Sequence, residues 1–164
     1  MATIRKFEAD DAPAVSAVIR LALGRLDDRI YPRDRLQPLI DYFSPEKVAR
    51  LNLHRHCLVA EDGGVIVATA ALEGPRVSTF FVHPDRQRIG IGTRLLSEIE
   101  AAAQGFGMDR LVVQASLPAA PFYERHGYRS LGTIEESPAG PHLEMAKNFR
   151  PEGKDRWNAA GSDS

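Results

Sequence analysis

Two glycines, Gly90 and Gly92, stand where the chain changes from strand-like to helix-like patterning. Before them, Val77 to Val82 is rich in β-branched and aromatic residues and is closed by Pro84. After them, Ile91, Leu95, Ile99 and Ala102 recur on one helical face, until Gly105 and Gly107 stop the pattern. The first N–H groups of a helix lack intrahelical partners and carry the positive end of its dipole. Without a Cβ at Gly90 or Gly92, that backbone can approach phosphate oxygens closely. Arg88 and Arg94 lie nearby to offset anionic charge, and Thr93 offers a hydroxyl. The junction therefore reads as a helix start fit for a diphosphate. On its own, the same pair of glycines serves equally well as a tight strand-to-helix entry.

Two better-known phosphate loops fit poorly. A P-loop requires Gly-Lys-Ser/Thr, and Gly92-Thr93-Arg94 lacks it. A dinucleotide fingerprint requires a third small residue where this chain has Leu95, and an acidic residue where it has Gln114 and Ala115.

The remaining chain supplies alternating strands and helices. Residues 2–7 alternate as a short strand, and a helix is expected over about 11–23 with Asp10 or Asp11 as N-cap. The charged stretch 24–43, holding Pro32 and Pro38, reads as short helical pieces and loop. Its mixture of charges at 25–35 reads as a solvated face. Ser44-Pro45-Glu46 opens a helix to about Leu53. Cys57 to Ala60 and Val65 to Leu72 are strands around Gly63-Gly64, a turn that needs positive φ. Further strands are expected at 111–115, 128–134 and 142–148, with a short helix at 118–126 and a Pro-rich turn at 137–141. This order gives an α/β (α+β) layered domain with a mixed sheet. Its extent is 1–149, followed by a flexible tail at 150–164 whose one large apolar residue is Trp157.

Bulk properties exclude several classes. With 164 residues the chain fits one domain that needs no metal or disulfide staple. A formal net charge of -1, with Lys and Arg scattered among Asp and Glu, leaves no basic stripe for nucleic acid. No segment approaches the roughly 20 apolar residues of a membrane span, and residues 1–7 hold no apolar leader core. The lone Cys57 cannot form an internal disulfide and suits a reducing compartment. The chain thus reads as cytoplasmic, with neither nucleic-acid nor membrane partners. His54, His56 and Cys57 lack a second ligand pair at zinc spacing, so no metal is expected.

With its flanks the glycine turn becomes specific. Val82-x-Pro84-x-x-Gln87-x-x-Gly90-x-Gly92 resembles the cofactor motif of the GNAT superfamily of N-acetyltransferases. Pro121-Phe122-Tyr123-Glu124-Arg125-His126-Gly127-Tyr128 is similar to that family's aromatic helix, and Pro141 to Lys147 to its closing strand. The resemblance covers about residues 2–149. It implies a central mixed sheet of about 6–7 strands, splayed into a V between strands 4 and 5 and flanked by about four helices. It implies acetyl-CoA as acyl donor: its pantetheine along the main chain of Phe81 and Val82, and its diphosphate near Gln87, Arg88, Ile89, Gly90, Ile91, Gly92 and Thr93. It also implies a primary amine acceptor, as a small molecule or peptide, and it is compatible with a homodimer.

The resemblance assigns Tyr123 as general acid to the departing CoA thiolate, against the plain alternative of a core aromatic. Ser116 stands where relatives often carry a cofactor-contacting Asn; capping the following helix is its other role. Some relatives place a glutamate base where this chain has Arg76. Alternation puts Arg76, Ser78 and Phe80 on one strand face. Arg76 and Ser78 are therefore acceptor-binding candidates, with Arg76 either holding an anionic group of the acceptor or ion-paired at the surface. Proton removal is left to water with Glu73 or His142, or to binding of the free amine. The alternative function is a non-catalytic acyl-CoA-binding regulatory module.

Overall fold

Along the chain, Thr3–Lys6 forms β1, Ala12–Gly24 α1, Arg33–Tyr42 α2 and Pro45–Leu51 α3. Strands β2 (His56–Asp62), β3 (Val65–Glu73) and β4 (Arg76–Val82) lead into α4 (Ile91–Gly105). Strand β5 (Arg110–Ser116) and α5 (Ala120–Arg125) are followed by β6 (Arg129–Ser130), β7 (Glu135–Ser137) and β8 (Gly140–Asn148). The computed structural model describes residues 1–87 and 89–149, so Arg88 and the expected tail at 150–164 lie outside the described residues.

The strands form one mixed sheet in the order β1-β2-β3-β4-β5-β8-β6, with β7 paired to β8. Pairing is antiparallel except for β4 with β5. Gly63 and Gly64 adopt φ of 60° and 81°, so the β2–β3 hairpin turns where glycine tolerates the left-handed region. Each sheet face carries its own core. On one face, α4 buries Ile91, Leu95, Ile99 and Ala103, four residues apart, against Val67, Val77, Leu111 and Met145. On the other, Val15, Ile19 and Leu23 of α1 pack with Leu36, Ile40 and Val48 over Val59 and Ile66. Each fully buried aliphatic side chain contributes about 1.5–3 kcal/mol.

Among the described residues there are eight strands and five helices, one more of each than expected. The added helix is α2. Leu36 and Ile40 give it one buried face, and the N–H that Pro38 lacks removes a single backbone bond midway along the helix. The added strand comes from 128–134, where only Arg129–Ser130 pairs with β8; Glu135–Ser137 pairs separately with its other end. Ser44 caps α3 as expected, accepting from Lys47 N–H at 3.2 Å. Asp11 does not cap α1 through its side chain. Its carboxylate instead accepts two Arg5 hydrogen bonds, at 2.8 and 2.9 Å, and the Glu8 N–H at 2.7 Å.

Candidate active site

Strands β4 and β5 pair only at Arg76–Val112 and Val77–Val113. Beyond that point β4 stays with β3, while β5 is zipped to β8 as far as Ser116–His142. The two strands therefore part, and the edge of β4 from Ser78 to Val82 faces a gap. His83 N–H donates to Val67 O at 2.7 Å, so alternation turns the main-chain groups of Val82 the other way, into this gap. There the Val82 carbonyl accepts from Gln87 Nε2 at 3.3 Å. The main chain of Phe81 faces β3, opposite Thr69, and its side chain joins the α1-side core.

A bulge shapes this edge. The register moves from Thr69–Phe81 to Ala71–Ser78, which leaves one extra residue in β4, and Thr79 takes a left-handed φ of 44°. Alternation consequently breaks. Phe80 lies with Val77 and Val82 on the α4 side, whereas Arg76 and Ser78 lie on the opposite face with Phe81. The expected shared face of Arg76, Ser78 and Phe80 does not form, because simple period-two counting cannot anticipate a bulge.

At the mouth of the gap α4 begins. Gly90 is its N-cap at φ 87°, a left-handed conformation costly for any residue with a Cβ. The first helical bond runs from Arg94 N–H to Gly90 O at 3.1 Å, so the N–H groups of Ile91, Gly92 and Thr93 precede the ladder. A Cβ on Gly92 would sit 3.5 Å from Phe122 and 3.6 Å from Val82. Thr93 Oγ1 lies 3.2 Å from His126 Nε2, and Ile89 is exposed. Arg94 donates to Ala2 O at 2.6 Å, tying α4 to the residue before the first strand.

Tyr123 is 4% exposed and lines a cleft of about 750 Å³. Its ring meets Phe122 at 5.2 Å, Tyr128 at 5.5 Å and Phe80 at 6.0 Å between centroids. Burial pushes the phenol well above its ordinary pKa, so the hydroxyl keeps its proton at neutral pH. Proline near its start and Gly127 at φ 91° confine α5 to six residues, which sets the depth of Tyr123. Ser116 lines the same cleft in an extended N-cap conformation but makes no side-chain cap bond, so its capping alternative is not realised.

The far side of the cleft is built from β5, β8 and the α1–α2 segment. Arg76 Nη1 lies 3.3 Å from Glu144 Oε1 and is 45% exposed, so the surface ion pair is formed. His142 is 7% exposed; its Nε2 lies 2.7 Å from Gln114 Nε2 and 3.5 Å from Glu135 Oε2, and its buried Nδ1 has no partner. Ligand atoms of Glu135, His142 and Glu144 lie within 4.8 Å of one another, a grouping that sequence spacing gave no sign of. Glu73 stands at the end of β3 and is not among the cleft-lining residues. Tyr31, which sequence reasoning passed over inside a charged stretch, donates to Pro141 O at 2.7 Å and accepts from Leu117 N–H at 2.9 Å. Desolvation raises the Tyr31 pKa, against the Leu117 hydrogen bond that lowers it.

The family model described as "Acetyltransferase (GNAT) domain" matches residues 30–149. The chain belongs to this GNAT acetyltransferase family. The solved structure of a GCN5-related N-acetyltransferase (named Aminotransferase, Class-II) from Rhodopseudomonas palustris is similar to this GNAT domain at 25% identity. Its TM-score is 0.83, and the match covers 90% of this chain and 96% of that one. The PaiA N-acetyltransferase of Thermoplasma acidophilum, solved in complex with coenzyme A, shares the fold at 19% identity. Its TM-score is 0.73, covering 91% and 99% of the respective chains. An uncharacterized N-acetyltransferase of Bacillus subtilis, YjcF, is 40% identical over 60 residues, which is 36% of this chain and 43% of that protein. The chain thus spans less than half the length of the curated relatives it matches. Among the described residues of this GNAT domain, no helix is long and apolar enough to cross a membrane.

Within the GNAT domain, the structure brings Val82, Gln87, Ser116 and Tyr123 to one cleft and sets the α4 start beside it, while Arg88 lies outside the described residues. Phe80 and Gln114 also line the cleft and were not singled out. Their signals were weak: Phe80 needed the bulge, and Gln114 needed the β5–β8 register that sets it beside His142.

Proposed function

We propose that this chain transfers an acetyl group from acetyl-CoA to a primary amine by direct attack in a ternary complex. The observation that carries the reading is the parting of β4 and β5 next to the α4 start, with Tyr123 lining the same cleft. Three features fit a CoA chain. Val82 offers main-chain groups to an added extended segment, as a sheet edge does. Ile91, Gly92 and Thr93 offer N–H groups to phosphate, and the missing Cβ at Gly92 leaves the surface beside Phe122 and Val82 open. The structurally similar PaiA binds coenzyme A.

Bound there, acetyl-CoA supplies the activated thioester carbonyl. The chain's own groups do the rest. The Val82 N–H stabilises charge developing on the carbonyl oxygen. Tyr123, kept protonated by burial, donates to the sulfur as the C–S bond breaks. The attacking amine loses its proton through water to His142, whose imidazole is buried along the cleft.

The test is release of CoA thiol from acetyl-CoA across a broad set of amines, alongside calorimetric CoA binding. Turnover with any amine supports the reading. CoA binding with no thiol release on any acceptor would instead favour a regulatory CoA-binding module.

A further inference from the structure

The cleft lining combines an apolar wall with a few polar groups, which bears on what it accepts. The α1–α2 side is apolar. Leu26, Ile30, Leu39 and Phe81 line the cleft, joined by Ala139 from the segment before β8. All five pack against the α1-side core yet stay only half-buried, so apolar surface remains turned to the cleft. Strands β4 and β5 add polar groups to the same lining, including Ser78, Gln114 and Ser116.

Charge on this lining is sparse and already paired. Among the described residues that line the cleft, Asp27 is the one carboxylate. Its oxygens accept from the Arg29 guanidinium at 2.9 and 3.1 Å and from the Arg29 N–H at 3.0 Å. The two lining guanidiniums are Arg25, 3.9 Å from Asp85, and Arg76, bonded to Glu144. A second ammonium on the acceptor would find no unpaired carboxylate on this lining and would be desolvated against aliphatic side chains, which is costly. An aliphatic or aromatic body would instead remove the exposed faces of Leu26, Ile30 and Leu39 from water.

Resting on the acetyl-transfer reading, we propose that the acceptor is a monoamine on an apolar body, seated against Leu26, Ile30, Leu39, Phe81 and Ala139, and not a polycation. The body is an alkyl or arylalkyl group, carried either by a simple amine or by an apolar amino acid.

The experiment measures thiol release from acetyl-CoA with hexylamine, 2-phenylethylamine, leucine, phenylalanine, ethanolamine and spermidine. The expected result is a kcat/KM at least about 10-fold higher for the apolar acceptors than for ethanolamine or spermidine, the scale set by a few methylenes in an apolar pocket. Faster turnover of leucine and phenylalanine than of the simple amines would identify the amino-acid source; the reverse order would identify the simple amine. The Leu39→Gln and Leu26→Gln variants should each raise KM for hexylamine while calorimetric CoA affinity stays unchanged. Two variants are used so that one poorly folded protein does not decide the matter. Spermidine or ethanolamine turned over as well as hexylamine would overturn the inference. Should no amine release thiol, melting temperature in the presence of CoA decides instead. Stabilisation by hexylamine but not spermidine would keep the apolar seat and sink the transfer reading, and no stabilisation by either would sink both.

Discussion

A Cβ placed on Gly140 would lie 2.6 Å from Cδ1 of Tyr31, so the aromatic ring of the α1–α2 segment rests directly on the bare backbone at the start of β8. The same tyrosine bridges Pro141 O and the Leu117 N–H, and joins the two sides of the cleft through one side chain. Arg35 reinforces the join by donating to Ser137 O at 2.9 Å and Pro138 O at 3.1 Å.

Gly140→Ala is expected to destabilise the fold by about 1–3 kcal/mol, because the ring must shift and φ of 143° is strained for alanine. Tyr31→Phe keeps the ring but strands the Leu117 N–H and Pro141 carbonyl, a loss of about 1–3 kcal/mol. Urea unfolding measures both. Equal stability of wild type and Gly140→Ala would show that the contact relaxes freely.

Tyr123→Phe should lower kcat by about 10²-fold or more, the usual scale of a general acid, with little change in CoA affinity. Burial raises the phenol pKa, so the acid form persists through neutral and mildly alkaline pH. The wild-type rate should therefore show no fall from ionisation of Tyr123 below about pH 10. A variant as fast as wild type would remove Tyr123 from the reaction.

The two glycines of the turn should separate in their effects. Gly90→Ala meets nothing within 4 Å, so its cost is conformational, about 1 kcal/mol for a left-handed residue. Gly92→Ala is accommodated at ordinary contact distance from Phe122 and Val82 and should leave stability nearly unchanged. Under the proposed function it should instead weaken CoA binding, because its methyl group would crowd the helix start assigned to the diphosphate. Chemical unfolding paired with calorimetry distinguishes the two, and loss of stability at Gly92 with intact binding would contradict the assignment.

Asp11 links stability to acid. Hydrogen bonds from Arg5, then the Glu8 amide, hold its carboxyl below the ordinary aspartate pKa, with burial opposing them. A depressed folded pKa means the contribution is complete above the unfolded value of about 3.9 and fades as pH falls through the lower, folded value. The urea midpoint of wild type should therefore drop below about pH 4 more steeply than that of Asp11→Asn. Parallel pH profiles for the two proteins would count against the linkage.

Much of the architecture is legible in the sequence, and the reasons are local. Gly63-Gly64 permits little besides a tight hairpin, Ser44-Pro45 is a helix start by its own chemistry, and the four-residue spacing of Ile91, Leu95 and Ile99 specifies one buried helical face. The helix Arg33–Tyr42 was obscured because Pro38 and its charges mask two core residues whose burial depends on α1 and the sheet. The Thr79 bulge escaped as well, since nothing in Ser78-Thr79-Phe80 distinguishes a bulged strand from a regular one.

For this protein the sequence alone determined the phosphate-ready glycine turn, the aromatic helix holding Tyr123 and the GNAT resemblance they carry together, because each depends on residues close in the chain. Tertiary structure decided what stands opposite them. The divergence of β4 from β5, the Arg76–Glu144 pair across β5, the setting of His142 beside Gln114 and the seating of Tyr31 on Gly140 join residues up to 110 positions apart. Such contacts depend on strand order and register, which neither periodicity nor local spacing records.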